Sequence, residues 1–145
     1  MASDTGWDCA FCAIASGAEG ATTVLDETEV VAFLDRRPLF PGHVLVIPRR
    51  HYETLPDLDP SLLPVLFGAV QRLTVAVPRA VGAEGTFVAA NNIVSQSVPH
   101  LHVHVVPRRK GDGLRGFFWP RKSYGSDAEA IAVASDIRAA LGRAA

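Results

Sequence analysis

Hydrophobic and polar positions follow two periods along this chain, and each change of period marks an element. Val30-Val31-Ala32-Phe33-Leu34 is an apolar run of strand length and reads as a buried strand. A β-rich piece from Thr23 precedes it, and the acidic turn Asp26-Glu27-Thr28 lies between the two. Pro38 and the Pro41-Gly42 pair break the chain, and His43-Val44-Leu45-Val46-Ile47 resumes as another strand before Pro48. From Asp59-Pro60 the period lengthens. Leu62, Leu66, Ala69, Val70, Leu73 and Val77 recur at helical spacing, and Pro64 falls in the first turn, where its missing N–H is tolerated. Gly82 and Gly85 close that helix, and Thr86 to Ala90 predicts a strand. His100 to Val106 alternates and is rich in valine, another strand. Ser126 and Glu129 form a capping box that opens an amphipathic helix with Ala130, Ile131, Ala134, Ile137 and Leu141 on its apolar side. This order predicts an α+β fold with a mostly antiparallel sheet, one central helix and a C-terminal helix. The expected organisation is one domain over 1–145, with a core of about 9–108 and an arm and helix over about 109–145.

Composition changes this picture by exclusion. The 145 residues are 48% hydrophobic and 20% charged, ordinary for one globular domain. A formal net charge of −1 leaves no basic field for a nucleic-acid backbone, so no nucleic-acid partner is expected. Met1 to Asp8 is short, polar and acidic rather than a basic-plus-apolar leader. No apolar run is read as approaching the ~20 residues that span a bilayer. The cytoplasm is the expected compartment, and no membrane partner is expected. Cys9 and Cys12 are the only cysteines. As a lone Cys-x-x-Cys pair they form no disulfide framework and are metal-binding, redox-active or incidental.

The most informative stretch is Pro99-His100-Leu101-His102-Val103-His104-Val105-Val106. Side chains alternate faces in a strand, so His100, His102 and His104 share one face, roughly 6.5–7 Å apart. Leu101, Val103 and Val105 face the other way, into a core. Such a row suits either metal ligation by neutral imidazoles or a nucleophile flanked by hydrogen-bond donors. A polar face exposed to water is the alternative without chemistry. Of the five histidines in the chain, three stand at this strict spacing.

This strand matches the His-φ-His-φ-His-φ-φ signature of the histidine-triad (HIT) family, where φ is an apolar residue. Phe33 to Val46, with Asp35-Arg36-Arg37-Pro38 and Pro41-Gly42-His43, closely resembles the family's second motif. Gln96-Ser97-Val98 resembles its phosphate-side loop. The resemblance runs from about Cys9 to Arg108 and implies a nucleotide hydrolase. It casts His102 as the nucleophile that attacks the α-phosphorus of a nucleoside phosphoramidate or dinucleoside polyphosphate. A nucleotidyl-histidine intermediate forms, and water then cleaves it. His104 is implied as donor to the non-bridging oxygens, His43 as support on the nucleophile side, and Asp35 as acceptor for the ribose hydroxyls. Gln96 and Ser97 match residues that reach the α-phosphate or the bridging atom. Asn91-Asn92-Ile93-Val94-Ser95 departs from the longer glycine-bearing loop of many members, so Asn91, Asn92 and Ser95 enter as candidate phosphate contacts. The same intermediate also serves a nucleotidyltransferase or phosphorylase. Two other classes are a non-catalytic nucleotide-binding regulator and a catalytic metal held by the three histidines.

Cys9-Ala10-Phe11-Cys12 resembles the N-terminal pair of many bacterial HIT proteins. In those proteins the pair implies a structural zinc held with two histidines, here His51 and His100. A redox pair would belong near a thioredoxin-like βαβ unit, which the pattern lacks. If zinc takes His100, that histidine cannot also relay charge to His43. Arg108-Arg109-Lys110 either draws in a polyphosphate or is a solvated turn. The arm from Gly111 to Tyr124 carries Phe117, Phe118 and Trp119, loosely similar to the C-terminal Trp-Pro segment of Hint-type members. The resemblance also implies a homodimer with the sheet continued across its interface.

Overall fold

The computed structural model describes residues 8–115 and 120–143. The chain divides into two compact units, Met1–Asp112 and Gly113–Ala145. The first contains helix α1 (Ala10–Ser16), strands β1 (Thr23–Asp26), β2 (Val30–Leu34) and β3 (Val44–Pro48), helix α2 (Leu63–Val81), and strands β4 (Gly85–Ala89) and β5 (Val103–Arg108). The strands form one five-stranded sheet in the order β1-β2-β3-β5-β4, every neighbouring pair antiparallel. The expected α+β architecture is therefore present.

The two faces of this sheet have different partners. Val30, Ala32, Val44, Val46, Leu101, Val103 and Val105 pack with the buried stripe of α2, namely Leu66, Ala69, Val70, Leu73 and Val77. Val31, Phe33, Leu45 and Ile47 point the other way and join Cys9, Phe11 and Ala15 in a smaller cluster. The period of 2 in β2 and β3 thus deals alternate residues to two cores. Directly opposite residues share a face, and Phe33 pairs with Leu45 and Leu45 with His104. The histidine side of β5 is therefore the face that α1 covers.

Three elements differ from the sequence reading. Helix α1 was not expected: its seven residues begin at Cys9, whose Sγ accepts the Cys12 N–H, and end at Gly17 in the left-handed region (φ 80°). A helix this short is unstable alone and depends on tertiary contacts. Arg49 supplies one, donating to the Ala15 carbonyl, and ties that end of the helix to the β1–β2 turn through the Glu27 and Thr28 carbonyls and Asp26. Strand β5 starts at Val103 rather than His100, because its pairing with β3 stops at Val46–Val103 and the Leu101 N–H turns to the Tyr52 carbonyl at 2.7 Å. Lastly, the 22 residues Pro60–Val81 are long and apolar enough to cross a membrane by length and composition, in contrast to the expectation that no apolar run approaches that length. Its count is high because both sides carry apolar groups. One stripe is buried on the sheet, and Leu63, Phe67 and Val75 are exposed.

In the second unit, helix α3 spans Asp127–Arg143. Ser126 Oγ accepts the Glu129 N–H at 3.1 Å, as the capping box predicts, while the Glu129 carboxylate takes the Gly125 N–H at 2.7 Å. Residues 116–119, the aromatic part of the arm, lie outside the described residues.

Candidate functional site

The chain between β2 and β3 reverses at Gly42, where φ is 100° and a Cβ would stand 2.9 Å from Val81 Cγ1. Glycine is the residue that fits there. The reversal is held by Asp35 N–H to His43 O (2.9 Å) and His43 N–H to Phe40 O (3.0 Å), which sets His43 beside Asp35. His43 Nδ1 then accepts the Leu39 N–H at 3.1 Å. A backbone N–H can only donate, so the neutral His43 ring carries its proton on Nε2. That nitrogen lies 2.9 Å from His104 Nδ1 and donates to it. His104 in turn carries its own proton on Nε2. Burial lowers the pKa of His43, opposed by the nearby Asp35, and burial lowers His104 to about 4, helped by His102 and His43. Both rings are thus neutral at physiological pH, and their tautomers form a directional chain.

His102 is oriented by a different partner. Its Nδ1 lies 2.7 Å from the His100 carbonyl, which only accepts, so Nδ1 bears the proton and Nε2 keeps a free lone pair. The His102 and His104 ring centroids are 5.1 Å apart. Both line a cavity of about 720 Å³ with Phe11, Ile14, Phe33, Leu45, Val98, Ser97, Asp35, Arg36 and Arg37 among its walls. Such a volume suits a small-molecule site of apolar walls with a few fixed polar groups. The site therefore offers a bare imidazole nitrogen and an imidazole N–H donor side by side.

Other candidates fall in and around this cavity. The Asp35 carboxylate takes the Arg37 N–H at 2.9 Å and stands 3.7 Å from His43 Nε2. Ser97 lines the cavity, whereas Gln96 is not among its walls: it holds the loop, accepting the Ile93 N–H at 2.9 Å and donating to the Glu53 carbonyl. Asn91 donates to the Ser95 carbonyl (3.2 Å) within the loop, and Asn92 accepts the Leu55 N–H (2.9 Å), which ties the loop to the segment before α2. Ile93 and Ser95 hold left-handed φ values of 71° and 61° there, a strained conformation for a β-branched residue such as Ile93. Arg108 pairs with Asp112, and Arg109 donates to the Val81 carbonyl at the end of α2.

Behind the triad lies a second cluster. One donor atom from each of Cys9, Cys12, His51 and His100 falls within 4.8 Å of the others. His100 Nε2 donates to the Pro48 carbonyl at 2.9 Å, which leaves Nδ1 bare and 3.4 Å from both sulfurs. His51 Nδ1 lies 3.3 Å from Cys12 Sγ. Two thiols and two imidazoles with free nitrogens can hold a metal ion with tetrahedral preference. The Pro48 contact is the kind of outer partner that fixes a ligand's tautomer. Burial first, then Cys9, raise the Cys12 thiol to about 12, so binding as thiolate releases a proton. Asp35, His43 and His104 also converge within 4.8 Å. There the Leu39 N–H occupies Nδ1 of His43 and commits its Nε2 as a donor, so the group is a hydrogen-bond relay.

The chain is similar to several known proteins. An uncharacterised HIT-like protein of Saccharolobus solfataricus is 38% identical over 117 residues, 79% of this chain and 84% of that protein. The adenylylsulfatase HINT3 of Arabidopsis thaliana is 32% identical over 74% of the chain and 55% of its own length. An asymmetrical bis(5'-nucleosyl)-tetraphosphatase of Schizosaccharomyces pombe is 41% identical over 56% of the chain and 46% of its length. Among solved structures, a protein from Streptococcus mutans superposes with a TM-score of 0.84 at 30% identity, covering 92% of this chain and 85% of that one. A zinc-bound histidine-triad family protein from Mycobacterium smegmatis gives a TM-score of 0.72 at 33% identity, covering 93% and 99%. The HIT domain family matches residues 17–111, and with the triad, its upstream histidine and the fold all in place, this chain belongs to that family.

Proposed function

We propose that this protein hydrolyses nucleoside phosphoramidates or dinucleoside polyphosphates at the α-phosphorus through a nucleotidyl-His102 intermediate. The observation that carries the reading is the pair of opposed tautomers: a bare Nε2 on His102 beside an Nε2–H on His104. In the first step the His102 Nε2 lone pair forms a bond to phosphorus and the bond to the leaving group breaks, a phosphate departing as its anion and an amine departing with a proton taken from solvent. His104 donates to a non-bridging oxygen, where negative charge grows in the transition state. In the second step water attacks phosphorus and gives up a proton to solvent, the bond to His102 breaks, and the imidazole leaves as a neutral ring. His43, held by Leu39, keeps His104 in the donor tautomer throughout. Asp35 accepts the ribose hydroxyls, Ser97 faces the phosphate, and Gln96, Asn91, Asn92 and Ser95 shape the loop that presents Ser97. The two relatives with named activities support this substrate class, since adenylyl sulfate and a bis(5'-nucleosyl) tetraphosphate each carry a nucleoside 5′-phosphorus bonded to an anionic leaving group.

The four-donor cluster fits zinc, with Cys9, Cys12, His51 and His100 as its ligands. A zinc there would be structural, closing its four positions with protein atoms and tying α1 to the residues before β5.

Turnover of adenosine 5′-phosphoramidate and diadenosine polyphosphates by wild type and His102→Ala tests the reading. Wild type is expected to release adenosine monophosphate, and the variant to fall by at least about a thousandfold. Equal turnover by both would place the chemistry elsewhere. Nucleotide binding with no turnover by either would support a regulatory role, and product formation only in phosphate buffer would show phosphorolysis.

A further inference from the structure

We propose that Phe11 is a positioning residue that couples the Cys-x-x-Cys metal centre to the orientation of His102, so that metal loading sets the rate of attack without touching the substrate. The inference rests on the readings of His102 as nucleophile and of Cys9, Cys12, His51 and His100 as metal ligands. Phe11 stands between the two cysteines on α1 and is buried. Its ring meets His102 edge-on, with centroids 5.1 Å apart and planes at 85°, and meets His100 at 6.0 Å and 72°. Phe33 braces it from β2 at 5.3 Å. His102 has one hydrogen bond that fixes its ring, to the backbone carbonyl of His100. One wall of the nucleophile's socket and its hydrogen bond therefore both come from the metal centre, one from a residue between two ligands and one from a ligand itself, while the His104 ring forms another wall.

The helix that carries Phe11 has little stability of its own. It spans seven residues with no acidic group in its first turn, and its N-terminal cap is the Cys9 sulfur. Besides the small cluster of Phe11, Ala15 and their neighbours, it is held by Arg49 at its C-terminal end and, at its N-terminal end, by weak thiol contacts to His51 and His100. A metal bound at Cys9 and Cys12 pins the N-terminal end to His100. Without that tie, α1 and the Phe11 ring gain freedom, and His102 loses one wall of its socket. A nucleophile displaced by about 1 Å loses on the order of 100-fold in rate.

The test compares zinc-loaded and chelator-stripped protein, each as wild type, Phe11→Leu and Phe11→Tyr. Bound zinc is counted by elemental analysis and folding is followed by circular dichroism. Long-range proton–nitrogen NMR of the histidine rings reports the His102 tautomer independently of turnover. Single-turnover formation of the nucleotidyl adduct is expected to fall about 10- to 100-fold when zinc is stripped from wild type. Phe11→Leu should show the same loss while fully loaded, with no further loss on stripping, and Phe11→Tyr should restore the wild-type response. The His102 signal should change from one tautomer to a mixture in the same samples. Zinc dependence of equal size in wild type and Phe11→Leu would overturn the coupling, as would an unchanged His102 signal in loaded Phe11→Leu. Failure to bind zinc would overturn it at its premise. If stripped protein unfolds, the loaded Phe11→Leu and Phe11→Tyr pair decides. If loaded wild type turns over no substrate, the hydrolase reading fails and the NMR comparison still decides the coupling.

Discussion

One backbone N–H, that of Leu39, determines what two imidazoles can do. By occupying Nδ1 of His43 it places protons at His43 Nε2 and then at His104 Nε2, so a turn dictates which end of a ring faces the cavity. The cost of this arrangement is paid at low pH. His104 sits at about 4 and His43 is lowered, against 6.5 for an unperturbed histidine, so below 6.5 the unfolded chain binds more protons than the folded one. Stability is therefore full above that value and falls as pH drops toward 4. Urea denaturation across this range should show the loss, with a shallower slope for His104→Gln, and equal slopes would contradict the assignment. Gly42 is the other sensitive position. Gly42→Ala meets both a left-handed φ of 100° and the Val81 side chain, and should cost roughly 1–3 kcal/mol in the same denaturation assay. The histidines and Gly42 were legible because their spacing and type are local facts of the chain. That Leu39 matters was not legible, since any residue but proline supplies the same N–H.

Among the elements, those with a clear period were readable and those shaped by tertiary contacts were not. Strand β2 was read with its observed bounds, and every apolar position assigned to α2 is buried. Helix α1 was hidden because seven residues hold too few turns to show a period, and its cap is a cysteine rather than a usual capping residue. For the same reason the apolar walls it gives the cavity, Phe11 and Ile14, were missed. The loop before β5 is assigned to phosphate by its place in the chain, and in the structure Gln96, Asn91 and Asn92 hydrogen-bond backbone groups of the loop itself and of Glu53 and Leu55. A side chain's partner across 43 positions, as between Gln96 and Glu53, leaves no trace in local pattern. Helix α2 supplies a clean prediction at this scale. Leu66 is fully buried against the sheet face remote from the cavity, so Leu66→Ala should lose about 2–5 kcal/mol of stability by urea titration while kcat stays unchanged.

For the molecule as a whole, the sheet ends at β1 on one side and β4 on the other. Val88 of β4 is exposed, as are Leu63, Phe67 and Val75 on the outer side of α2. Apolar groups on an open sheet edge and its covering helix suit pairing with a second copy. The expected result is a homodimer by light scattering coupled to size exclusion, shifted toward monomer by Val88→Lys with Val75→Glu, and a monomeric wild type would remove the expectation.

The sheet also keeps its larger apolar cluster on the α2 face and its imidazoles on the α1 face. Inherited changes on the two sides should consequently leave different marks in a cell. Those beneath α2 lower the amount of protein that escapes degradation, each surviving copy working normally. Those beneath α1, where the smaller core also walls the cavity, lower the output of each surviving copy as well. A survey of variants scored separately for abundance and for output would sort residues by the face they occupy, and neighbours along one strand, such as Val46 and Leu45, would fall into different classes.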